Sequence, residues 1–196
     1  MTAVFVVVAL AVVLALWASA VYNRLRQLRN RVETAWAQID VQLKRRYELI
    51  PNLVEVARGY MQHEAQTLQA VAQARSQAVS ASGAVRGHAG EAQVLGSWAA
   101  AEQALGSSLG KLMALTEAYP NLKADAQMQR LSEEIASTEN RIGFARQAYN
   151  DEVLAFNDKA SQFPDLIWAR WLGFAHLQML QSTQSEQERQ APAVRF

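Results

Sequence analysis

The residues that follow Met1 form a long uncharged stretch, TAVFVVVALAVVLALWASAV, from Thr2 to Val21. About 20 apolar residues in a helix are enough to cross the hydrocarbon core of a bilayer. Trp17 and Tyr22 lie at the end of this stretch, and aromatic rings of this kind favour the membrane interface. The stretch therefore predicts a transmembrane helix over residues 1–21.

A cluster of arginines follows directly, at Arg24, Arg26, Arg29 and Arg31. The alternative to an anchor is a cleaved signal peptide, and ASA at 18–20 resembles a cleavage site. A signal peptide begins with a basic region, and no Lys or Arg precedes the apolar stretch, which favours a retained anchor. The positive-inside rule then places the N-terminus outside and the larger part of the chain in the cytoplasm. The arginines form a membrane-proximal basic patch that would attract anionic headgroups.

Composition narrows the fold class and excludes several kinds of site. The chain has only 9 Gly and 4 Pro in 196 residues, which disfavours the many tight turns of an all-β fold. Ala, Gln, Leu, Glu and Arg dominate, and all are helix formers. The absence of cysteine excludes disulfides, thiolate metal sites and thiol nucleophiles. A formal net charge of +1 gives no electrostatic basis for binding nucleic acid.

Apolar residues recur in steps of three and four along most of the remaining chain, which is the spacing of a helix. The first stripe starts at Leu25 and keeps its phase across Pro51 as far as Ala74, so we expect one long helix with a kink or short break near 47–50. With two further long helices joined by short loops, it predicts an antiparallel bundle. The expected fold is all-α, with the N-terminal transmembrane helix continuing into a long antiparallel α-helical bundle over residues 22–180.

Glycine and proline mark the boundaries inside the bundle. SASGAVRGHAG predicts a loop over 80–90, and AYPNLKAD predicts a turn over 119–124 with Asp125 as the cap of the next helix. A short apolar helix is predicted over 165–180 and a polar C-terminal tail over 181–196. The helix after the turn has the most regular stripe, typical of a coiled-coil seam: Leu131, Ile135, Thr138, Ile142, Ala145, Tyr149, Val153, Phe156, Ala160 and Phe163.

The first bundle helix contains the candidates for acid–base chemistry, Glu33, Asp40 and Glu48. Successive candidates lie more than about 10 Å apart on one helix, whereas paired catalytic carboxylates stand closer. Charges four residues apart, at Arg29–Glu33, Asp40–Lys44 and Lys44–Glu48, predict ion pairs on a solvated or interhelical polar face. The histidines lack the spacing of a zinc site. We therefore expect no catalytic, cofactor-binding or metal site, and Trp36, in phase with the apolar stripe, belongs to the core.

The stretch from Asp165 to Leu180, DLIWARWLGFAHLQML, leaves little polar face. It is too short to span a bilayer comfortably, and it contains Arg170. Three roles remain open: a helix that covers the end of the bundle, a helix at the lipid interface, or a contact in a homo-oligomer. Trp168, Trp171 and Phe174 are the candidate interface residues.

Long strings of this chain resemble the LemA family, in order and over nearly its whole length. They are YNRLRQLRNRVETAWAQIDVQLKRRYELIPNLVEVARGYMQHE at 22–64, EAYPNLKAD at 117–125, TENRIGFARQAYNDEVLAFN at 138–157 and FPDLIWARWLGF at 163–174. The closing APAVRF also resembles that family's short C-terminal motif. The resemblance implies a single-pass protein of the bacterial inner membrane, with a long helical bundle, no enzymatic activity, and a role in membrane organisation or envelope stress.

Two functional hypotheses follow. The first is a non-enzymatic, membrane-anchored scaffold that assembles into a homo-oligomer, with the lipid bilayer and further copies of the chain as its partners. The second is an accessory or regulatory subunit of another membrane protein, such as a protease or signalling kinase. Regular apolar stripes without a polar pocket favour the first hypothesis, because they build surfaces rather than clefts.

The arginine cluster makes the topology testable. A reporter fused after Phe196 should be active only if it functions in the cytoplasm, because the basic residues follow the apolar stretch and none precedes it. Matched fusions to alkaline phosphatase and to green fluorescent protein would measure this. Phosphatase activity in the periplasm would reverse the orientation.

Overall fold

The structure is a computed structural model that describes residues 1–180, so the predicted tail over 181–196 lies outside the described residues. No strand occurs in the described part of the chain, and the predicted all-α fold is confirmed. The helices, in chain order, are α1 (Thr2–Tyr60), α2 (Ala65–Val85), α3 (Ala92–Thr116), α4 (Pro120–Lys123), α5 (Ala126–Ser161) and α6 (Asp165–Trp171).

Helix α1 has two different surfaces along its 59 residues. Up to Leu16 its large apolar side chains are exposed on every side. From Val21 onward, a single stripe is buried against the other helices, and it ends at Ala57. At a rise of about 1.5 Å per residue the helix is about 90 Å long. One uninterrupted helix therefore joins the apolar stretch to the bundle.

The bundle contains four long helices rather than the three expected from the sequence. Contacts pair α1 with α5, α1 with α2, and α2 with α3. Trp36 contacts Tyr149 while Arg46 contacts Glu139, so α5 runs antiparallel to α1. Helix α2 is also antiparallel to α1, and α3 returns parallel to it, which gives the alternating topology of an up-and-down bundle.

The additional helix arises because the chain turns at a point where the helical spacing of apolar residues is not interrupted. Helix α1 ends at Tyr60 and α2 begins at Ala65. Met61 is buried in the turn, and its carbonyl accepts a hydrogen bond of 3.1 Å from the Glu64 amide. The number of residues between Met61 and Leu68 corresponds to two turns of a helix. The apolar residues therefore keep their helical spacing across the turn, although the chain reverses direction there.

A kink or a short break is expected near 47–50, and the break does not occur, because α1 remains helical through Pro51. Proline cannot donate the backbone hydrogen bond to the carbonyl four residues earlier, which belongs to Tyr47. Arg75 of α2 donates its Nε–H to that carbonyl oxygen at 2.6 Å. A side chain from the neighbouring helix thus satisfies the acceptor that Pro51 leaves free.

The loop predicted over 80–90 is shorter than expected, because α2 continues to Val85. Gly87 and Gly90 have φ angles of 78° and 96°, in the left-handed region that favours glycine. A Cβ at Gly90 would lie 2.7 Å from the side chain of Leu177. This glycine therefore also allows the C-terminal segment to approach the loop closely.

The turn predicted over 119–124 contains the short helix α4, with Leu122 fully buried. Asp125 caps α5 as predicted, since its side chain accepts hydrogen bonds from the amides of Gln127 and Met128 at 2.9 Å. The Met128 amide, followed by the Tyr60 hydroxyl, lowers the pKa of Asp125. The cap therefore contributes stability above the pKa of the unfolded carboxyl, and the contribution is lost as pH falls through the folded pKa.

The apolar helix predicted over 165–180 is too long, because α6 ends at Trp171. Gly173, with φ 77°, turns the chain, and residues 174–180 then run along α5 without helical structure. Asn157 holds the backbone of Leu177 through paired hydrogen bonds of 2.9 Å. Asn150 holds Leu180 in the same way, at 2.8 and 2.9 Å. Side-chain amides thus replace the backbone pairing that a longer helix would have had.

Trp36 lies in the core, as the sequence predicts. It is 3% exposed, and its ring is edge-on to Trp98 at 5.0 Å and to Tyr149 at 6.0 Å between centroids. It therefore joins α1 to both α3 and α5.

Trp36→Ala should lower the free energy of unfolding by about 3–5 kcal/mol, because it removes a large buried aromatic side chain. The control Arg45→Ala, at a mostly exposed side chain 3.7 Å from Glu134, should cost less than about 1 kcal/mol. Urea unfolding of the full chain in detergent, followed by far-ultraviolet circular dichroism, would measure both. Equal losses would show that the stripe has been assigned wrongly.

Candidate functional site

A charged network lies inside the bundle, where the sequence analysis expected apolar packing. Arg46 of α1 and Glu102 of α3 are only 3% and 5% exposed. Arg46 donates Nη2–H to Glu102 Oε2 and Nη1–H to Oε2 of Glu139 on α5. The Tyr47 hydroxyl donates to the other carboxylate oxygen of Glu102. One guanidinium thus joins three helices.

The Tyr47 hydroxyl acts as a donor in this network. Burial is the main cause of a raised pKa at Tyr47, so its hydroxyl remains a donor at neutral pH. Both oxygens of Glu102 accept hydrogen bonds from protein donors. Glu102 therefore links α3 to α1 through both of its carboxylate oxygens.

The network could have been found from the phase of the stripes. Arg46 follows Leu43 by three residues and precedes Ile50 by four, and Glu102 lies between Trp98 and Leu105 at four and three. Both charged residues therefore occupy positions that the stripe assigns to the core. A stripe that is traced through apolar residues alone passes over both of them.

A second polar contact involves Asp40, one of the three candidate carboxylates. Asp40 is buried, and it binds Ser82 Oγ at 3.3 Å and Arg86 Nη2 at 2.9 Å, both from α2. Lys44 Nζ lies 3.2 Å away on the same helix. The predicted pair is thus confirmed, and it belongs to an interhelical polar face between α1 and α2.

The other two candidate carboxylates, Glu33 and Glu48, are exposed on α1 and do not converge with Asp40. Glu33 pairs with Arg29 at 4.0 Å. Within residues 1–180, Lys44 pairs with Asp40 and not with Glu48, so the third predicted pair is wrong. In the same part of the chain no three His, Asp or Glu side chains are grouped to hold a metal ion.

The predicted basic patch lies just beyond the apolar stretch of α1. Arg24, Arg26 and Arg31 are exposed, and Arg29 is half-buried beside Glu33. The exposed stretch before them makes α1 the helix of the described chain that is long and apolar enough to cross a membrane.

The structure separates the three candidate interface residues. Trp168 is half-buried, with its ring 6.4 Å from that of Trp17. Phe174 is half-buried between Tyr22, at 5.8 Å, and Phe156, at 6.2 Å. Trp171, by contrast, is 77% exposed. Two of the three therefore pack on their own chain, and Trp171 alone among them points outward.

Comparison with known proteins bears on the bundle and its network. The LemA family model matches residues 35–196. The chain belongs to the LemA family. The match includes all four residues of the buried network, and it starts beyond the apolar stretch and the four arginines. Comparison with curated proteins gives no match.

This LemA-family bundle also has an open groove beside α3, of about 430 Å³. Arg146 of α5 lies over the ring of Trp98, with 5.0 Å between its Cζ and the ring centroid, an attractive cation–π geometry. Burial lowers the pKa of Arg146. The groove differs from the expectation of a bundle without a polar pocket. It is lined by small, apolar and polar residues: Ala92, Leu95, Gly96, Ala99, Ala100, Glu102, Gln103, Gln178, Met179 and Leu180.

Glu102→Ala should lower the free energy of unfolding by about 3–5 kcal/mol, because it leaves the Arg46 charge buried without this partner. The matched control is Glu139→Ala, on the same guanidinium but with a side chain 49% exposed, and it should cost no more than about 1 kcal/mol. The double variant Arg46→Met with Glu102→Leu should recover much of the loss, since it removes both charges together.

Urea unfolding of the full-length variants would measure these effects. Similar losses for Glu102→Ala and Glu139→Ala would contradict a structural role for the buried pair.

Proposed function

We propose that this chain is a non-enzymatic, membrane-anchored helical scaffold that self-assembles in the plane of the bilayer and acts in membrane organisation or envelope stress. The observation that carries the proposal is the continuity of α1. Its exposed apolar part and its buried bundle stripe belong to one helix of 59 residues. A helix of this kind would hold the bundle at a constant position relative to the membrane.

The charge distribution supports an orientation in which the bundle lies in the cytoplasm, at the bacterial inner membrane. The exposed residues Arg24, Arg26 and Arg31 follow the apolar stretch within about three helical turns. Basic residues close to a span favour the cytoplasmic side. They would also attract the anionic headgroups of that leaflet.

The interior polar groups support a structural role rather than catalysis. Asp40 contacts three partners, and both oxygens of Glu102 are hydrogen-bonded to side chains of α1. Because these carboxylates are already committed to interhelical contacts, they contribute to the arrangement of helices and not to the activation of a substrate.

The exposed side of the bundle supports self-assembly. Phe144 on α5 is 74% exposed, and aromatic residues are enriched at protein interfaces. An anchor would confine every copy to one plane and one orientation, which raises the effective concentration for lateral contact. A single repeated contact between neighbours is enough to build a closed ring.

The alternative is an accessory or regulatory subunit of another membrane protein, such as a protease or signalling kinase. The groove beside α3 favours it, since the half-buried Arg146 provides a cationic group on a wall that also contains apolar residues such as Leu95 and Met179. Grooves that combine apolar walls with a few polar groups are typical of binding sites.

The size of the detergent-solubilised full chain distinguishes the two functions. A self-assembling scaffold should form a discrete homo-oligomer in light scattering coupled to size exclusion, and Phe144→Ser should reduce its mass. Val79→Ser changes an exposed apolar residue of α2, and it should leave the mass unchanged. A monomer at all concentrations would refute the scaffold and favour the accessory role.

A further inference from the structure

Helix α6 presents its apolar side to the outside. Ile167 and Trp171 are four residues apart on α6, so they share one face of the helix, and their exposed fractions are 59% and 77%. Phe163, in the turn just before α6, is 81% exposed. On the packed side, Ala169 is buried, and α6 contacts both α1 and α5. This arrangement is the reverse of a helix that covers a core and shows its polar side to water.

The position of α6 along α1 is given by two aromatic contacts. The rings of Trp168 and Trp17 are 6.4 Å apart, and those of Phe174 and Tyr22 are 5.8 Å apart. Trp17 precedes Val21, the end of the uncharged stretch, by about 6 Å along the helix axis. Helix α6 is therefore level with the last turn of the apolar part of α1.

The charges near this face are compatible with phospholipid headgroups. Arg170 is exposed on α6. The carboxylate of Asp165 is mostly buried and pairs with Lys159 at 2.5 Å. Asp158 is exposed near the end of α5, while Arg24 and Arg26 of α1 are exposed just beyond the level of Tyr22. Cations thus predominate among these exposed groups.

We propose that α6 is an interfacial helix: its outward residues Ile167 and Trp171, with Phe163 in the turn before it, insert at the headgroup–acyl boundary of an anionic bilayer. The inference rests on the proposed membrane anchoring of α1. If the apolar stretch crosses a bilayer, the contact between Trp17 and Trp168 brings α6 to the interface. Tryptophan favours this region, and a helix with an apolar face lies there in the plane of the membrane.

A bilayer accounts for this surface better than a second copy does. The outward face is continuous with the exposed apolar surface of α1, through the neighbouring rings of Trp17, Trp168 and Trp171. Lipid that surrounds α1 at this level would therefore also meet α6. The bundle would then have a second attachment, at the C-terminal end of α5, which limits its tilt relative to the membrane.

The absence of cysteine permits a clean test with single-cysteine variants of the full chain. Nitroxide labels at Ile167→Cys and Trp171→Cys would report on the face itself, and Ile167→Cys leaves Trp171 in place. Val79→Cys, on α2, is the control for an exposed position on the bundle. Val8→Cys reports on the anchor. Each protein is reconstituted into vesicles of phosphatidylcholine and phosphatidylglycerol, and circular dichroism verifies helicity.

Electron paramagnetic resonance then measures collisions of each label with oxygen, which concentrates in lipid, and with a nickel chelate, which stays in water. The ratio of oxygen to nickel collisions should be several-fold higher at 167 and 171 than at 79, and highest at 8. A ratio at 167 and 171 equal to that at 79, with a high ratio at 8, would overturn the interfacial helix and leave the anchor intact.

Two other outcomes would also overturn the proposal. Labels at 167 and 171 that are shielded from both reagents, with spectral broadening that disappears on dilution with unlabelled protein, would show a second copy on this face. A low ratio at position 8 as well would show that the membrane anchoring itself is wrong.

Discussion

The continuity of α1 as a single helix is the constraint on which the other parts of the structure depend. Its apolar beginning and its bundle stripe share one rigid axis, so the placement of either part determines the other. Continuity is threatened at Pro51, which lacks an amide hydrogen. Arg75 of α2 satisfies the free carbonyl of Tyr47, and the contact that supports the helix also attaches its neighbour.

Packing around α1 combines apolar burial with a small number of polar contacts that are specific in geometry. The aromatic cluster of Trp36, Trp98 and Tyr149 excludes water over a large area. Arg46 joins α1 to α3 and α5. Apolar stripes tolerate sliding by a helical turn, whereas a buried charge is costly in any register that separates it from its partner. We interpret the network as a device that specifies the register of the bundle.

The end of the bundle near the apolar stretch has a different organisation. Asn150 and Asn157 form hydrogen bonds with the backbone of the segment after α6. Trp168 packs against α1, and Phe174 packs against α5. Two aromatic residues of this region, Trp168 and Phe174, thereby pack within the chain. The outward face of α6 stays exposed. It lies at the level where the anchor would leave the membrane, and this position relates it to the proposed function.

The sequence by itself determined the features that depend on local periodicity and composition: the all-α fold, the apolar stretch, the core position of Trp36 and the cap at Asp125. It did not reveal the turn at Met61. When the spacing between two helices equals a whole number of helical turns, their apolar residues form one continuous pattern in the sequence. It overestimated α6, because the backbone of Leu177 and Leu180 pairs with asparagines 20 and 30 residues earlier in the chain. The phase of Arg46 indicated burial, but only the tertiary structure decided that its partners are Glu102 and Glu139. A periodic pattern records which side of a helix is buried, and the partner across the interface depends on how separate helices assemble.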